Sequence, residues 1–192
     1  MTIAAPPIKC VVWDLDETLW RGVLGEGDDV SLASAAREAV IALDERGILQ
    51  SIASRSDPAL AEPRLAALGL LEYFLSPKIG WSEKTASLEA IARELDIPLD
   101  AFLFIDDDAF ERDAVRFAHP EVRCLDAAAI STLLERPDLT PLHRTEDGRQ
   151  RRQMYRRQAL SRREEEAFAG PRIEYLRTLG MTLTVAPATD AD

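Results

Sequence analysis

The sequence contains little of what would mark a secreted, membrane-spanning or nucleic-acid-binding protein. Its 192 residues include two cysteines with no paired spacing, so no disulfide framework is expected and a reducing cytoplasm is the expected compartment. No apolar run approaches the roughly 18 residues that a membrane helix needs, and residues 1–7 lack the basic start of a signal peptide. The net charge is −11 and aromatic residues make up 6%, which disfavours nucleic acid as a partner.

The composition is that of a chain with one substantial core. Hydrophobic residues make up 46% and charged residues 30%, which predicts one domain with a C-terminal extension. We expect the core over residues 1–140. The extension over residues 141–192 is predicted to be helical and rich in arginine, and it could end in a strand at Met181–Val185.

Apolar runs alternate with stretches of helical periodicity. The first run has no polar alternation, which fits a strand covered on both faces, and the alternation predicts a doubly wound parallel α/β sheet. The predicted strands are Lys9–Trp13, Ile48–Ala53, Tyr73–Leu75, Ala101–Ile105 and Val122–Leu125. The predicted helices are Ala33–Arg46, Pro58–Leu68, Glu83–Leu95, Phe110–Phe117 and Ala127–Leu134.

Two carboxylates follow the first predicted strand directly, in the segment Asp14-Leu15-Asp16-Glu17-Thr18. The carboxyl ends of parallel strands are where open α/β sheets bind ligands. Asp14 and Asp16 could share a Mg²⁺ ion, with one carboxylate acting as nucleophile and the other as acid and base. An Asx turn at a strand-to-loop junction is the alternative for a single aspartate.

Three further groups follow later strands in chain order. Ser54 could bind a phosphate oxygen, Lys84 could neutralise phosphate and nucleophile together, and Asp106-Asp107-Asp108 could complete a metal site. Each has an ordinary alternative: a turn serine, a surface lysine in a first helical turn, and a helix N-cap. Their order and spacing along a βαβ chain favour a shared site.

These motifs together resemble those of the haloacid dehalogenase (HAD) superfamily. The resemblance implies a Rossmann-like fold, Asp14 as nucleophile, Asp16 as general acid and base, and bound Mg²⁺. The implied phosphate-binding residues are Thr18, Ser54, Arg55 and Lys84, and the implied metal residues are Asp14, Asp16, Asp106 and Asp107. The intervals between the motifs are short, so a large cap domain is not expected, and an uncovered crevice suits a bulky partner.

A narrower resemblance rests on Thr18–Gly27, Phe104–Arg112 and Met154–Arg156, which are similar to the FkbH-like branch of polyketide biosynthesis. That branch implies dephosphorylation of the glycolytic acyl phosphate 1,3-bisphosphoglycerate and transfer of the glyceryl, or a similar three-carbon, unit to an acyl carrier protein through its phosphopantetheine thiol. The alternative is a Mg²⁺-dependent phosphatase acting on a phosphorylated protein or a small metabolite.

The sequence departs from that branch beside the second motif. Relatives usually carry Ser-Lys-Asn-Asp where this chain has Ser54-Arg55-Ser56-Asp57, and many have a cysteine at the position of Ala53. If transfer needs an enzyme thioester, the expected thiol is absent. Cys10 and Cys124 are interpreted as core residues, and direct transfer to the carrier's thiol would need neither.

The C-terminal extension carries an unusual density of arginine. It could steer an acidic carrier protein towards the site. The alternative is a solvated helix in which Arg and Glu pair at helical spacing.

Overall fold

Five parallel strands form the central sheet of the protein. The computed structural model describes residues 6–26, 30–140, 146–168, 170 and 172–180. In chain order, the strands of this sheet are β1 (Cys10–Trp13), β4 (Leu49–Ser54), β5 (Lys78–Ile79), β6 (Phe102–Asp106) and β7 (Arg123–Asp126). Their spatial order is β5-β4-β1-β6-β7, which places β1 in the middle with β4 and β6 on either side. The predicted doubly wound parallel α/β sheet is confirmed.

Helices connect the strands and cover both faces of the sheet. The α-helices are α1 (Ser34–Glu45), α2 (Pro58–Ala67), α3 (Lys84–Leu95), α4 (Ala109–Ala118), α5 (Glu146–Ala167) and α6 (Arg172–Thr178). Strand β1 is fully buried, and because successive side chains alternate between faces, it supplies both cores. Val11 and Trp13 belong to one cluster with residues of α1 and α2, whereas Cys10 and Val12 belong to the other with residues of α3.

A two-stranded antiparallel hairpin follows the first motif. Its strands are β2 (Trp20–Arg21) and β3 (Ser31–Leu32), in the segment where the sequence predicts a short flap. Among the described residues, no large cap domain lies between β1 and β4 or between β4 and α3. Neither of these two described intervals therefore places a large insert over the carboxyl edge of the sheet.

Two of the predicted elements are wrong in kind. Residues Leu71–Tyr73 form a 3₁₀ turn, and only Phe74 bridges to Gln50 of β4, so the predicted strand Tyr73–Leu75 does not form. The apolar character of Phe74 and Leu75 reflects their burial in the core and does not indicate a strand. The edge strand is the later pair Lys78–Ile79. The segment Ala127–Glu135 is a 3₁₀ helix instead of an α-helix.

The chain divides into two compact units, Met1–Tyr155 and Arg156–Asp192. The division falls within α5, so the expected boundary near residue 140 stays a prediction. The strand expected at residues 181–185 lies outside the described residues. No helix in the described part of the chain is both long and apolar enough to cross a bilayer.

Candidate active site

The chemically active side chains converge at the carboxyl edge of the sheet. Asp14 follows β1, and its backbone N–H donates to the carbonyl of Ile105 at 2.9 Å, beside the end of β6. Ser54 and Asp106 are the last residues of β4 and β6. Lys84 is the first residue of α3. All four are buried, so parallel pairing brings groups from distant parts of the sequence to one place.

Lys84 is the centre of an ion cluster. Its ammonium Nζ lies 2.9 Å from Asp14 Oδ1 and 2.5 Å from Asp106 Oδ2. Burial alone would lower the pKa of Lys84, but the two carboxylates together raise it above its ordinary value. The lysine is therefore held as a cation between two acidic groups.

Burial has the opposite effect on the two carboxylic acids. Desolvation is the main cause that raises the pKa of Asp14, from 3.8 to about 6, against the lowering effect of Lys84, while Asp106 raises it further. Desolvation also raises the pKa of Asp106, again opposed by Lys84. Because one ammonium serves two carboxylates, the site favours additional positive charge.

A group of three carboxylates has the composition of a metal site. One oxygen each from Asp14, Asp106 and Asp107 can be chosen so that all lie within 4.8 Å of one another. Three carboxylates against the single Lys84 ammonium leave an excess of negative charge that a divalent cation would offset. Hard oxygen donors of this kind suit Mg²⁺, so these residues fit the ion that the sequence predicts.

Neighbouring groups hold the metal-site carboxylates in place. Thr18 Oγ1 donates to Asp107 Oδ1 at 3.2 Å and accepts from the backbone N–H of Asp107 at 3.0 Å. The N–H of Asp108 donates to Asp106 Oδ1 at 2.8 Å, and Arg112 donates to the Asp106 carbonyl at 2.8 Å. Thr18, predicted as a phosphate ligand, thus positions Asp107.

The carboxylate of Asp16 is held apart from this group. Its Oδ1 accepts from the indole N–H of Trp20 at 2.7 Å and from the backbone N–H of Leu24 at 3.0 Å. Its Oδ2 accepts from the hydroxyl of Ser56 at 2.8 Å. The side chain lines the cleft but is not in the carboxylate cluster, so its position suits proton transfer better than metal ligation by the carboxylate.

The second motif provides one buried hydroxyl beside Asp14 and one arginine at the cleft rim. Ser54 is close enough to Asp14 for its hydroxyl to lower the pKa of that carboxyl, and its Oγ lies 3.3 Å from Ser56 Oγ. Arg55 lines the same cleft but forms a 2.8 Å ion pair with Glu111. Its predicted role in phosphate binding would require it to share or leave that partner.

Neither cysteine lines the cleft, which has a volume of about 330 Å³. Cys10 is fully buried in the core, where burial raises the pKa of its thiol far above the ordinary range. Cys124 is half-buried against the core, and burial raises its pKa to about 11. Their interpretation as core residues is confirmed, and thiols of such high pKa are poor nucleophiles.

Three residues of this site have contacts that sequence reasoning did not assign. Ser56 and Trp20 orient Asp16, and Glu111 engages Arg55. Ser56 appears in the sequence only as a departure from a family pattern, and the direction of the Trp20 indole depends on the path of the hairpin. The sequence signal for Glu111 is its position one helical turn after the acidic cluster Asp106-Asp107-Asp108.

Comparison with solved structures identifies the architecture. The N-terminal part of a Bacteroides fragilis protein, which contains a phosphatase domain and is complexed with Mg, is 26% identical and superposes with a TM-score of 0.62. The similarity covers 72% of this chain and 42% of that one. HAD-superfamily hydrolases from Geobacter sulfurreducens (subfamily IA, variant 1) and, as a putative member, Legionella pneumophila (subfamily III A) are 14% and 16% identical, with TM-scores of 0.52 and 0.50. The chain has the HAD fold.

The extent of these similarities differs. The Geobacter match covers 74% of this chain and 97% of that one, and the Legionella match covers 81% and 91%. By contrast, this chain spans less than half of the Bacteroides structure. No protein-family model and no curated protein matches the sequence, and the FkbH-like branch is not confirmed.

Proposed function

We propose that the protein is a Mg²⁺-dependent phosphatase of the HAD type. The observation that carries the proposal is the buried Lys84 ammonium between Asp14 and Asp106, with Asp107 completing a carboxylate group that can hold a divalent ion. The 26% identical Bacteroides structure, which contains a phosphatase domain and Mg, supports the same chemistry. Phosphoryl transfer depends mainly on positioning and charge stabilisation, and this site supplies both.

The residues have distinct roles in the proposed reaction. Asp14, Asp106 and Asp107 would hold Mg²⁺, which when bound offsets the charge of the phosphate. Asp14 attacks phosphorus, the ester bond breaks, and Asp16 donates its proton to the leaving oxygen. Asp16 then accepts a proton from the water that hydrolyses the aspartyl phosphate. Lys84 and the Ser54 hydroxyl bind phosphate oxygens throughout.

Hydrolysis of p-nitrophenyl phosphate tests this proposal. We expect turnover with Mg²⁺, none with EDTA, and loss of at least about 10³-fold in kcat for Asp14→Asn. Asp113→Asn is the matched control, because Asp113 is an exposed aspartate on α4 paired with Arg116. Full activity of Asp14→Asn would refute the nucleophile assignment, and turnover unaffected by EDTA would refute the metal dependence.

A second candidate is the acyl-phosphate-using transferase that loads an acyl carrier protein. One observation favours a macromolecular partner: three large apolar side chains are exposed, Val23 after β2, Trp81 after β5 and Phe110 after β6. Val23 also lines the cleft. The comparisons support the phosphatase and give no support to carrier loading. Because neither cysteine lines the cleft, this candidate uses direct attack of the carrier's thiol on the acyl carbon, with phosphate as leaving group.

Intact-protein mass spectrometry separates the two candidates. The protein is incubated with Mg²⁺, 1,3-bisphosphoglycerate and a phosphopantetheinylated carrier protein, while phosphate release is followed. A glyceryl-sized mass gain on the carrier would establish the transferase. Phosphate release at equal rates with and without the carrier, with no mass gain on the carrier, would support the phosphatase and reject the transferase.

A further inference from the structure

A second cavity opens beside the catalytic cleft. It has a volume of about 620 Å³, larger than the cleft itself. Glu17 and Asp107 line both spaces, so the two cavities are adjacent at these residues. A substrate whose phosphate lies against Asp14 and Lys84 has room to extend its leaving group into this second cavity.

Arg21 gives this cavity an available positive charge. It lies at the end of β2, lines the cavity and is exposed. In the described part of the chain, its guanidinium makes no ion pair or hydrogen bond. The other walls include small side chains, among them Ala33, Ala127 and Ser131, which leave space for a ligand around the guanidinium.

Each of the three acidic residues of the cavity accepts a hydrogen bond within the protein. Asp126 accepts from Arg112 at 2.6 Å and from the backbone N–H of Ala128 at 2.9 Å. Asp107 accepts from Thr18 at 3.2 Å, and Glu17 accepts from the N–H of Gly22 at 2.8 Å. Among the described residues that line this cavity, Arg21 is the one cationic side chain, and it carries five N–H donors.

We propose that this cavity is a leaving-group subsite in which Arg21 binds an anionic group, such as a carboxylate, of the phosphorylated substrate. The inference rests on the proposed phosphatase function and narrows its substrate to phosphate esters that carry a second negative charge. A guanidinium matches a carboxylate or a second phosphate with two parallel hydrogen bonds. Arg21 is thus a specificity-determining residue.

Two phosphate esters that differ in a single group test the subsite. In 3-phosphoglycerate the carbon farthest from the phosphate is a carboxylate, and in sn-glycerol 3-phosphate it is a neutral hydroxymethyl group. We expect the wild-type protein to favour 3-phosphoglycerate in kcat/KM by about two- to fivefold, the effect of an exposed charged contact. The ratio should approach one in Arg21→Ala, be partly retained in Arg21→Lys and reverse in Arg21→Glu.

Arg93→Ala is the matched control for loss of a surface charge. Arg93 is an exposed arginine in the last turn of α3, nine residues from Lys84 and so about 13 Å along the helix axis. This variant should keep the wild-type ratio. A wild-type ratio near one, or a ratio unchanged in Arg21→Ala, would overturn the subsite, as would an equal loss for both esters.

A binding measurement keeps the subsite and the phosphatase reaction distinguishable. Calorimetric dissociation constants for both esters are measured in the Asp14→Asn background, with and without Arg21→Ala. The same two- to fivefold preference for 3-phosphoglycerate, lost in Arg21→Ala, would support the subsite even if the wild-type protein hydrolysed neither ester. Absence of that preference would reject the subsite while leaving hydrolysis of p-nitrophenyl phosphate as the separate test of the phosphatase.

Discussion

At the scale of single residues, Asp14 is a place where the proposed chemistry opposes stability. Burial raises the pKa of Asp14 to about 6 from 3.8, so the folded state binds more protons than the unfolded state between these values. Without metal, its contribution to stability is therefore present at low pH and is lost as pH rises through that window. Holding Asp14 in the ionised form that attacks phosphorus therefore lowers the free energy of unfolding by roughly 3 kcal/mol at neutral pH.

Asp14→Asn removes that cost along with the nucleophile. In EDTA at pH 7.5 we expect the variant to exceed the wild-type free energy of unfolding by about 2 kcal/mol, since Asn cannot ionise and loses part of the contact with Lys84. At pH 4 the difference should nearly vanish. Urea unfolding at both pH values measures this, and a variant less stable than wild type at pH 7.5 would contradict the pKa direction.

Ser56 is a positioning residue for Asp16. Its hydroxyl is one of three donors to that carboxylate. Ser56→Ala should therefore leave Asp16 less well oriented and lower kcat by about tenfold. KM should change little, because the orientation of Asp16 matters in the chemical step and not in substrate binding. Ser51→Ala is the control, since Ser51 lies on β4, the strand that precedes Ser56, and donates to the Ser76 carbonyl. A change confined to KM would show that Ser56 binds substrate instead.

At the scale of elements, helix α1 starts without the side-chain cap that α2 and α4 have. Asp57 and Asp108 accept from backbone N–H groups at the starts of α2 and α4, whereas Ala33 occupies the extended N-cap position of α1 and makes no such bond. Ala33→Ser should raise the free energy of unfolding by about 1 kcal/mol. Asp57→Ala should lower it by a similar amount, and equal stability of all three proteins in urea would contradict the capping argument.

The elements also show what the sequence could predict. The strands β1, β4, β6 and β7 and the helices α1 to α4 begin and end within a residue or so of the predicted bounds, because their apolar periods match their burial. The edge strand Lys78–Ile79 has two half-buried residues after Pro77, too few to show alternation. The site followed from strand ends, since Asp14, Ser54, Lys84 and Asp106 each lie at or after one. Ser56, Trp20 and Arg21 depend on side-chain directions and loop paths that spacing does not encode.

At the scale of the whole molecule, the start of the arginine-rich extension is tied to the first compact unit. Arg152 donates to both carboxylate oxygens of Asp44, at 2.8 and 3.1 Å, and to the Glu72 carbonyl at 2.8 Å. Its guanidinium also lies 4.7 Å from the centre of the Tyr73 ring. Asp44 is in the last turn of α1, where a negative charge opposes the helix dipole, so Arg152 offsets an unfavourable charge while joining two distant segments.

Replacing Arg152 should therefore cost more than replacing an exposed arginine of the same helix. We expect Arg152→Ala to lower the free energy of unfolding by about 2 kcal/mol, because a two-pronged ion pair and a ring contact are lost together. Arg157→Ala, at an exposed position on α5, should change it by less than about 0.5 kcal/mol. Urea unfolding compares the two variants. Equal small losses would mean that Arg152 contributes no more to stability than a solvated arginine and remains available to steer a partner. The expected difference would show that Arg152 stabilises the fold through its contacts with Asp44, Glu72 and Tyr73.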